Sequence, residues 1–501
     1  MKIGFDNQKY LKLQSERILE RVAHFGGKLY LEFGGKLFDD YHASRVLPGF
    51  QPDSKMKVLL QLKEQAEIVI AINAAHIEMN KRRGDLGITY DLDVMRLIDT
   101  FRSIGLYVGS VVITQYAGQQ AAEAFQRKLE ALGVKVYRHY PIADYPSNIN
   151  LIVSDDGYGK NEYIETSRPI VIVTAPGPGS GKMATCLSQL YQEHKRGVNA
   201  GYAKYETFPI WNLPLKHPVN LAYEAATADL ADVNMIDPFH LEAYGETTVN
   251  YNRDIEIFPV LETIFRSIFG ECPYKSPTDM GVNRAGFCIT NDEIVREAAR
   301  QEIIRRFMIA KCDYKKGKIS EAVLERSELL MKEVGAGEED RKVVIPAREY
   351  AEYKRNCDKK YVNVVVMAIE MPDGSIVTGR SSRRMVAAGA AVLNAIKKLA
   401  GIPDDLYMIA PNVFSSIQSI KGDILHYDRT SLNLEEILTA LTISAENNSC
   451  AAKAIKMLEK LNGCKAHCTA ILSERDEQVL RSMGIDVTCD PEYLTTNLYL
   501  S

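Results

Sequence analysis

The segment Ile170-Val-Ile-Val-Thr-Ala-Pro-Gly-Pro-Gly-Ser-Gly-Lys182 joins a run of β-branched residues to a glycine-rich loop that ends in Gly-Lys. The β-branched run predicts a buried strand, and the residues from Lys182 onward predict a helix of about 14 residues. The exposed N–H groups of such a loop and the N-terminus of the helix attract an anion, and the lysine adds a mobile positive charge. The segment therefore predicts a strand–loop–helix unit that resembles a phosphate loop.

Strand-like and helix-like segments alternate along the first half of the sequence. Apolar and β-branched runs predict strands at 67–72, 107–113, 134–137, 149–153 and 170–174. Segments between them predict helices at 93–104 and 119–132. This alternation predicts an α/β fold with a doubly wound, mostly parallel sheet. Ligands bind such sheets at the carboxyl ends of strands, where the strand order reverses, and the glycine loop follows one of those ends.

The remainder of the sequence predicts three further parts. Residues 200–290 contain the single Trp and many Tyr and Asn residues, which predicts an irregular substrate region within a first domain, 1–290. A helical connector is predicted at 291–340, and a smaller C-terminal α/β domain at 341–501. The C-terminal domain is predicted to contain strands at 361–369 and 375–378 joined by an Asp-Gly hairpin, a helix at 383–400, a strand at 464–472, a helix at 474–483 and a strand at 485–488.

Composition excludes several classes of protein. The chain has 501 residues, enough for two or three domains, and a formal net charge of −4, which argues against a dedicated nucleic-acid binder. No apolar run reaches the roughly 18 residues that a membrane-spanning helix needs, and no signal peptide is visible. Nine cysteines without regular spacing indicate reduced thiols. We expect a cytoplasmic homo-oligomer that binds neither nucleic acid nor membranes.

The glycine loop departs from the phosphate-loop pattern G-x-x-x-x-G-K-[ST] at two positions. Pro176 takes the place of the first glycine, and Met183 replaces the hydroxyl residue that usually binds Mg²⁺. Thr185 is a poor substitute because it lies roughly 200° further round the helix. A dinucleotide fingerprint fits less well, and a tight structural turn with a solvated lysine is the alternative interpretation. The predicted backbone donors to a phosphate are Gly177, Gly179, Ser180, Gly181, Lys182 and Met183.

Four other side chains are candidates for catalysis. Asp155 and Asp156 follow the strand predicted at 149–153, where carboxylates hold Mg²⁺ or act as a base, although Asp and Gly also favour turns. His217 and His240 lie in the region predicted to be irregular and could transfer protons, or could be structural. The stretch 278–284, which holds an acid, an amide and an arginine, could close over an anionic substrate or form a capped loop.

A second anion site is predicted before the alanine-rich helix, at Arg380, Ser381, Ser382 and Arg383. The alternative is that one of the two serines is the N-cap of that helix. A zinc site is disfavoured, because Cys464 and Cys468 would share one face of a strand while His467 points to the other. No metal ligand is therefore assigned.

Long segments of the chain resemble one bacterial family, known as domain of unknown function 1846 or uncharacterised protein family 0371. The segments that carry the resemblance are 168–185, 212–229 and 381–388, and it extends over nearly the whole chain. The resemblance implies a bacterial, cytoplasmic protein and assigns no activity or catalytic residue.

The residues themselves favour an enzyme that binds a small phosphorylated ligand at the glycine loop, with Lys182 neutralising charge on the phosphate. ATP and Mg²⁺ are candidate cofactors for such a nucleotide-binding loop. Two alternatives remain open. One is a metal-free transferase or isomerase that acts on a phosphorylated metabolite, and the other is a non-catalytic nucleotide sensor.

Overall fold

The computed structural model describes residues 3–35, 37–38, 40–83 and 87–493. The chain separates into two compact units, the first ending at Ala299 and the second beginning at Arg300. The finer division into 1–290, 291–340 and 341–501 stays a prediction.

The first unit is built on parallel strands wrapped by helices. Its strands are β1 (Leu29–Phe33), β2 (Ala66–Asn73), β3 (Tyr107–Thr114), β4 (Lys135–Arg138), β5 (Ile170–Thr174), β6 (Gly201–Tyr205), β7 (Asn234–Ile236), β8 (Val249–Tyr251) and β9 (Gly281–Val282). Its helices are α1 (Asn7–His24), α2 (Tyr41–Val46), α3 (Ser54–Gln61), α4 (Ala74–Glu78), α5 (Tyr90–Ser103), α6 (Gln120–Ala131), α7 (Ile149–Ile152), α8 (Lys182–Lys195), α9 (Pro218–Ala226), α10 (Pro238–Tyr244), α11 (Asn252–Phe269) and α12 (Pro277–Met280), and α13 (Asp292–Lys315) begins in it. Single helical turns lie at Tyr158–Lys160, Ala228–Leu230 and Ala285–Cys288.

Seven strands of the described chain form one sheet in the order β4-β3-β2-β5-β1-β6-β9, and every neighbouring pair is parallel. Side chains alternate between the two faces of the strands, so both faces need cover. Tyr30, Val171 and Tyr202 pack on one face against a core that includes Leu187 of α8 and Phe265 of α11. Helix α5 contacts β2 and β3. The doubly wound, parallel α/β fold is confirmed.

The strand order reverses between β2 and β5. The chain leaves β2 towards β3 and β4, whereas it leaves the adjacent β5 in the opposite direction, through α8 to β6. The carboxyl ends of β2 and β5 are therefore the place at which doubly wound proteins form a ligand-binding crevice. The glycine loop, which joins β5 to α8, lies at this crevice as the sequence predicts.

Two predictions for the first unit are wrong. Residues 149–153 do not form a strand; they form the single-turn helix α7, because the side chain of Asn148 accepts a hydrogen bond from the N–H of Leu151 at 3.2 Å and caps the turn. Residues 200–290 are not irregular, since they contain β6–β9 and α9–α12. Helix α11 continues through Pro259, which is exposed, because its opposite face buries six apolar side chains.

The second unit has a smaller sheet in the order β11-β10-β12-β13. Its strands are β10 (Val366–Glu370), β11 (Ile376–Arg380), β12 (Lys465–Cys468) and β13 (Asp486–Cys489). Its further helices are α14 (Glu321–Glu333), α15 (Val344–Cys357), α16 (Ala387–Ala400), α17 (Pro411–Ser419), α18 (Leu434–Ala445), α19 (Ser449–Ile455) and α20 (Glu474–Ser482). Single turns lie at Glu338–Asp340, Lys359–Tyr361, Ile420–Ile424 and Leu458–Leu461.

The predicted hairpin of the second unit is confirmed, since β10 and β11 pair antiparallel around the Asp-Gly turn. Two boundaries differ from prediction. The strand predicted from residue 361 begins at Val366, because the segment Lys359–Tyr361 forms a helical turn. The helix predicted from residue 383 begins at Ala387. Cys464 and Cys468 belong to the hydrophobic core of the unit.

Leu261 of α11 supplies a test of how the first unit is stabilised. Its side chain is 2% exposed in the core beneath the sheet. Replacement Leu261→Ala leaves a cavity and should lower the free energy of unfolding by about 2–5 kcal/mol, measured by urea denaturation followed by circular dichroism. Leu132 is 57% exposed, and Leu132→Ala should change stability by less than about 0.5 kcal/mol. Equal losses in the two variants would contradict this description of the core.

Candidate functional site

The glycine loop between β5 and α8 packs closely against its neighbours. A Cβ atom on Gly177 would lie 2.2 Å from the hydroxyl oxygen of Tyr90, so a larger residue there would displace the Tyr90 side chain. Gly181 precedes α8 with a φ of +84°, and a Cβ atom there would lie 3.0 Å from the side chain of Thr114. The Thr114 hydroxyl donates to the carbonyl oxygen of Ser180 at 2.8 Å. These contacts fix the path of the loop.

The loop leaves its backbone donors without partners. The N–H groups of Gly177, Gly179, Gly181, Lys182 and Met183 make no hydrogen bond to any other group in the described parts of the chain. The first residues of helix α8 contribute to these free donors, because the first N–H groups of a helix have no partner within the helix. An anion placed at this turn would satisfy several donors at once.

Lys182 is the first residue of α8 and is half-buried. Among the residues that the structure describes, its ammonium group makes no ion pair or hydrogen bond. A lysine without a counterion at the positive end of a helix raises the local potential, because the helix dipole has the same sign there. Thr185 cannot act in place of a hydroxyl after the lysine, since its own hydroxyl donates to the carbonyl of Gly181 at 2.9 Å.

The residues that follow β2 form the other wall of the crevice. The side-chain amide of Asn73 donates to the carbonyl oxygen of Gly179 at 3.2 Å, while its oxygen caps α4. His76 is 9% exposed, and its Cε1 atom lies 3.2 Å from the position of a Cβ on Gly179. The Nδ1 atom of His76 has no hydrogen-bond partner among the described residues. The imidazole therefore lies against the loop with one nitrogen unused.

A second lysine, Lys81, contributes positive charge to this wall. Its ammonium nitrogen lies 3.3 Å from Nε2 of His76 and 5.3 Å from the ring centre of Tyr90. Burial and the charge of Lys81 lower the pKa of His76, so this imidazole is neutral at neutral pH. Two lysines and a neutral histidine thus surround the unbonded amides.

Ionisable side chains cluster at the carboxyl ends of β1 and β6. Lys204 of β6 makes ion pairs with Glu206, at 2.7 Å, and with Asp254 of α11. Glu32 of β1 is opposite Lys204 in the strand register and accepts a hydrogen bond from Tyr202 at 2.7 Å. The side chains of Lys204 and Glu206 are 16% and 13% exposed. We call Glu32, Lys204, Glu206 and Asp254 the Lys204 cluster.

The pKa values of Glu206 and Lys204 in the Lys204 cluster differ from the ordinary values of these side chains. Burial raises the pKa of Glu206 to about 7, and Lys204 only partly offsets this effect. Burial also opposes the charge of Lys204, but Asp254 and Glu206 raise its pKa above the ordinary value. A carboxyl group whose pKa is raised towards neutral pH has the property that a general acid or base requires.

The Lys204 cluster and the glycine loop share one edge and one face of the sheet. Glu32 follows Tyr30 by two residues and thus points to the face that α8 covers. Burial raises the pKa of the Cys186 thiol, one turn after Lys182, and the charge of Glu32 raises it further, whereas the charge of Lys182 lowers it. The charges of Glu32 and Lys182 therefore both affect the pKa of the same thiol. The start of α8 and the Lys204 cluster thus both lie near Cys186.

The two predicted carboxylates lie away from the loop. Asp155 is exposed and forms a surface ion pair with Lys195, and Tyr191 donates to it at 3.0 Å. Lys195 is the last residue of the 14-residue helix α8, about 20 Å from Lys182 along the helix. Asp156 is exposed beside it. The prediction that these carboxylates follow a strand is wrong, because 149–152 is helical.

His217 and His240 occupy two different places in the first unit. His217 is the N-cap of α9, where its Nδ1 accepts from the N–H of Val219 at 3.3 Å. Its Nε2 contacts Asp292 at 2.9 Å, so both nitrogens are used, and burial lowers its pKa. His240 of α10 bonds through Nδ1 to Ser276 at 2.9 Å. The structure places neither histidine at the glycine loop.

The predicted second anion site lacks the helix terminus on which it depended. The N-cap of α16 is Val386, not a serine. Ser382 instead accepts from the N–H groups of Arg384 and Met385 at 3.2 and 3.3 Å, and the hydroxyl of Ser381 accepts from Val365 at 3.0 Å. Arg380 lies over the ring of Tyr361 at 4.8 Å, and Arg383 is exposed. Anion binding at these residues stays a prediction.

Sequence reasoning missed the residues that complete the site, namely Asn73, His76, Lys81, Tyr90, Thr114 and the Lys204 cluster. Asn73, Thr114 and Glu206 lie at or just after the carboxyl ends of strands, and this position could have identified them from the sequence.

In the described residues the structure contains no helix able to cross a membrane and no group of three or more His, Cys, Asp and Glu side chains arranged to hold a metal ion.

Comparison with known proteins covers the whole chain. Residues 3–335 match the family model described as domain of unknown function DUF1846, N-terminal, and residues 339–499 match its C-terminal counterpart. A UPF0371 protein of Clostridium botulinum strain Langeland is 57% identical over 500 residues, which are 100% of this chain and 99% of the relative. A UPF0371 protein of Streptococcus thermophilus strain CNRZ 1066 is 56% identical over 498 residues, 99% of each chain. The chain therefore belongs to the DUF1846 family, whose relatives carry the name UPF0371 protein.

Proposed function

We propose that the protein is an enzyme that holds the phosphate group of a small phosphorylated metabolite at the glycine loop. The observation that carries the proposal is the set of unbonded N–H groups of Gly177, Gly179, Gly181, Lys182 and Met183, beside an ammonium group of Lys182 that has no ion pair in the described residues. Phosphate binding needs several donors and positive charge, and the free N–H groups and Lys182 at a strand-order reversal support this assignment.

The geometry favours a ligand that extends from the loop towards β6. The loop follows β5, and the Lys204 cluster lies at β1 and β6, which are one and two strand spacings, about 5 and 10 Å, from β5. A small metabolite with its phosphate on the loop spans that distance. Its reacting carbon or oxygen would then lie near Glu206, whose protonation changes near neutral pH.

The chemistry proposed for Glu206 is proton transfer, as in an isomerase or transferase acting on a phosphorylated compound. Lys204 would stabilise the ionised form of Glu206 after it releases its proton, and it would orient the carboxylate through their 2.7 Å contact. Lys182 and the loop amides would hold the phosphate, and this binding energy would orient the reacting end of the molecule. A nucleotide remains an alternative ligand for the same loop.

Lys182→Ala tests the loop directly. Loss of the ammonium group should weaken the binding of phosphorylated ligands about 10- to 100-fold, because one charge-assisted contact is removed. A thermal-shift screen of sugar phosphates and nucleotides, with and without Mg²⁺, would find the ligand first, since a ligand at 100 times its Kd adds about 2.7 kcal/mol of stability. Titration calorimetry then gives the affinities of both proteins.

Lys128→Ala is the matched control for that experiment. Lys128 is an exposed lysine of α6, and its removal should leave the affinity unchanged. If Lys182→Ala bound phosphorylated ligands as tightly as the wild-type protein, the assignment of the glycine loop as the phosphate site would be wrong.

Glu206→Gln tests the ionisation assigned to the Lys204 cluster. The unfolded carboxyl group titrates near 4.5, whereas the folded pKa is about 7, so the folded chain retains a proton between these values. Stability from this proton is complete below pH 4.5 and is lost as the pH rises through 7. Wild-type stability should therefore fall over this range relative to the variant, by up to about 3 kcal/mol.

The measurement is urea denaturation at a series of pH values for the wild-type protein, Glu206→Gln and the control Glu256→Gln, which changes an exposed carboxylate of α11. The control should retain the wild-type slope. Parallel pH curves for the wild-type protein and Glu206→Gln would show that Glu206 titrates in its ordinary range.

A further inference from the structure

A cavity of about 320 Å³ lies in the first unit, beside the edge strand β9. Arg17 and Arg21 of α1 form one wall, and Arg284, two residues after β9, forms another. His240 also lines it. Strand β9 is three strand spacings, about 14 Å, from β5, so this cavity is separate from the glycine loop.

The positive charges in the cavity are incompletely compensated. Arg21 donates to the backbone carbonyl of Asp279, and its Nε atom is buried without a hydrogen-bond partner in the described chain. The Arg284 guanidinium group lies 5.3 Å from the ring centre of Phe287. Neither Arg21 nor Arg284 forms an ion pair with any carboxylate of the described residues. Arg17 pairs with Glu20 at 2.8 Å on the surface.

The arginines also repel one another. Burial and the charge of Arg17 lower the pKa of Arg21, and the same two causes lower the pKa of Arg284. Like charges that are brought together and partly desolvated cost free energy unless an anion accompanies them. An oxyanion between the guanidinium groups would remove that cost and accept paired N–H bonds.

The acidic groups of the cavity offset part of this charge, since the carboxylate of Asp279 raises the pKa of Arg21 and that of Glu20 raises the pKa of Arg284. The Asp279 carboxylate accepts from the Tyr244 hydroxyl at 2.9 Å and from the N–H of Lys275 at 3.0 Å. Glu246 is exposed. Trp211 lies at the same cavity and donates its indole N–H to the carbonyl of Asn283 at 3.0 Å. Three arginines and two carboxylates, Asp279 and Glu246, thus line the cavity, and Glu20 pairs with Arg17 at its surface.

We propose that the arginine cavity is a second ligand site, which binds a small dianionic metabolite through Arg17, Arg21 and Arg284. A volume of about 320 Å³ is that of roughly ten water molecules, which suits a molecule of about 10–15 non-hydrogen atoms. The dianion is a phosphate monoester or a dicarboxylate, since both present paired oxygens to guanidinium groups. This site does not depend on the function proposed for the glycine loop.

The test uses the full-length chain carrying Lys182→Ala, so that anion binding at the glycine loop is weakened. Inorganic phosphate and succinate are titrated separately into this protein by calorimetry. At least one of the two anions should bind, and adding Arg284→Gln should weaken that binding about tenfold or more. Adding Arg127→Gln, which changes an exposed arginine of α6, should leave it unchanged. The anion that binds identifies the class of ligand.

Failure of binding by both anions, or equal affinity with and without Arg284→Gln, would overturn the proposal. Should Arg284→Gln fail to fold, Arg17→Gln replaces it, because the Arg17 side chain is 33% exposed. Comparison of the wild-type protein with Lys182→Ala reports on the glycine loop alone, so failure of one site is distinguishable from failure of the other.

Discussion

The opposite directions in which the chain leaves β2 and β5 are the constraint on which the site depends. Because the connection after β2 runs to one side of the sheet and α8 runs to the other, the residues after β5 leave the sheet and do not pair with the last residues of β2. Five of their N–H groups therefore have no hydrogen-bond partner in the described parts of the chain. Thr114 and Asn73 hold the loop through its carbonyl oxygens, which leaves the donors available.

The carboxyl edge of the sheet carries two kinds of charge arrangement. At β2 and β5 the charges are positive and unpaired, which suits the binding of an anion. At β1 and β6 they are mixed, half-buried and coupled through Lys204, which suits proton exchange. Glu32, beside Cys186, joins the two arrangements. Division of labour between a binding end and a reacting end is a common plan for enzymes that act on phosphorylated compounds, and the proposed function follows from it.

The sequence was sufficient to predict the fold class, the parallel strands and the glycine loop, because these depend on local patterns: β-branched runs, amphipathic segments and Gly-Lys before a helix. It was insufficient where tertiary contacts decide. Residues 149–153 are as β-branched as a strand but are capped as a helical turn by Asn148. Pro259 argues against a helix at α11 because it removes one backbone hydrogen bond. The burial of the apolar face of α11 outweighs that loss. His76 and Glu206 are distant in sequence from the loop, so only the folded chain brings them to one edge.

Trp211 is the sole tryptophan in 501 residues, and it lies at the arginine cavity. Its indole N–H is bonded to the carbonyl of Asn283, which directly precedes Arg284. Indole emission responds to nearby charge and to solvent, so an anion that enters between the guanidinium groups changes the surroundings of the only such fluorophore in the chain. The protein consequently carries a built-in optical reporter for occupancy of that cavity, free of background from any other indole.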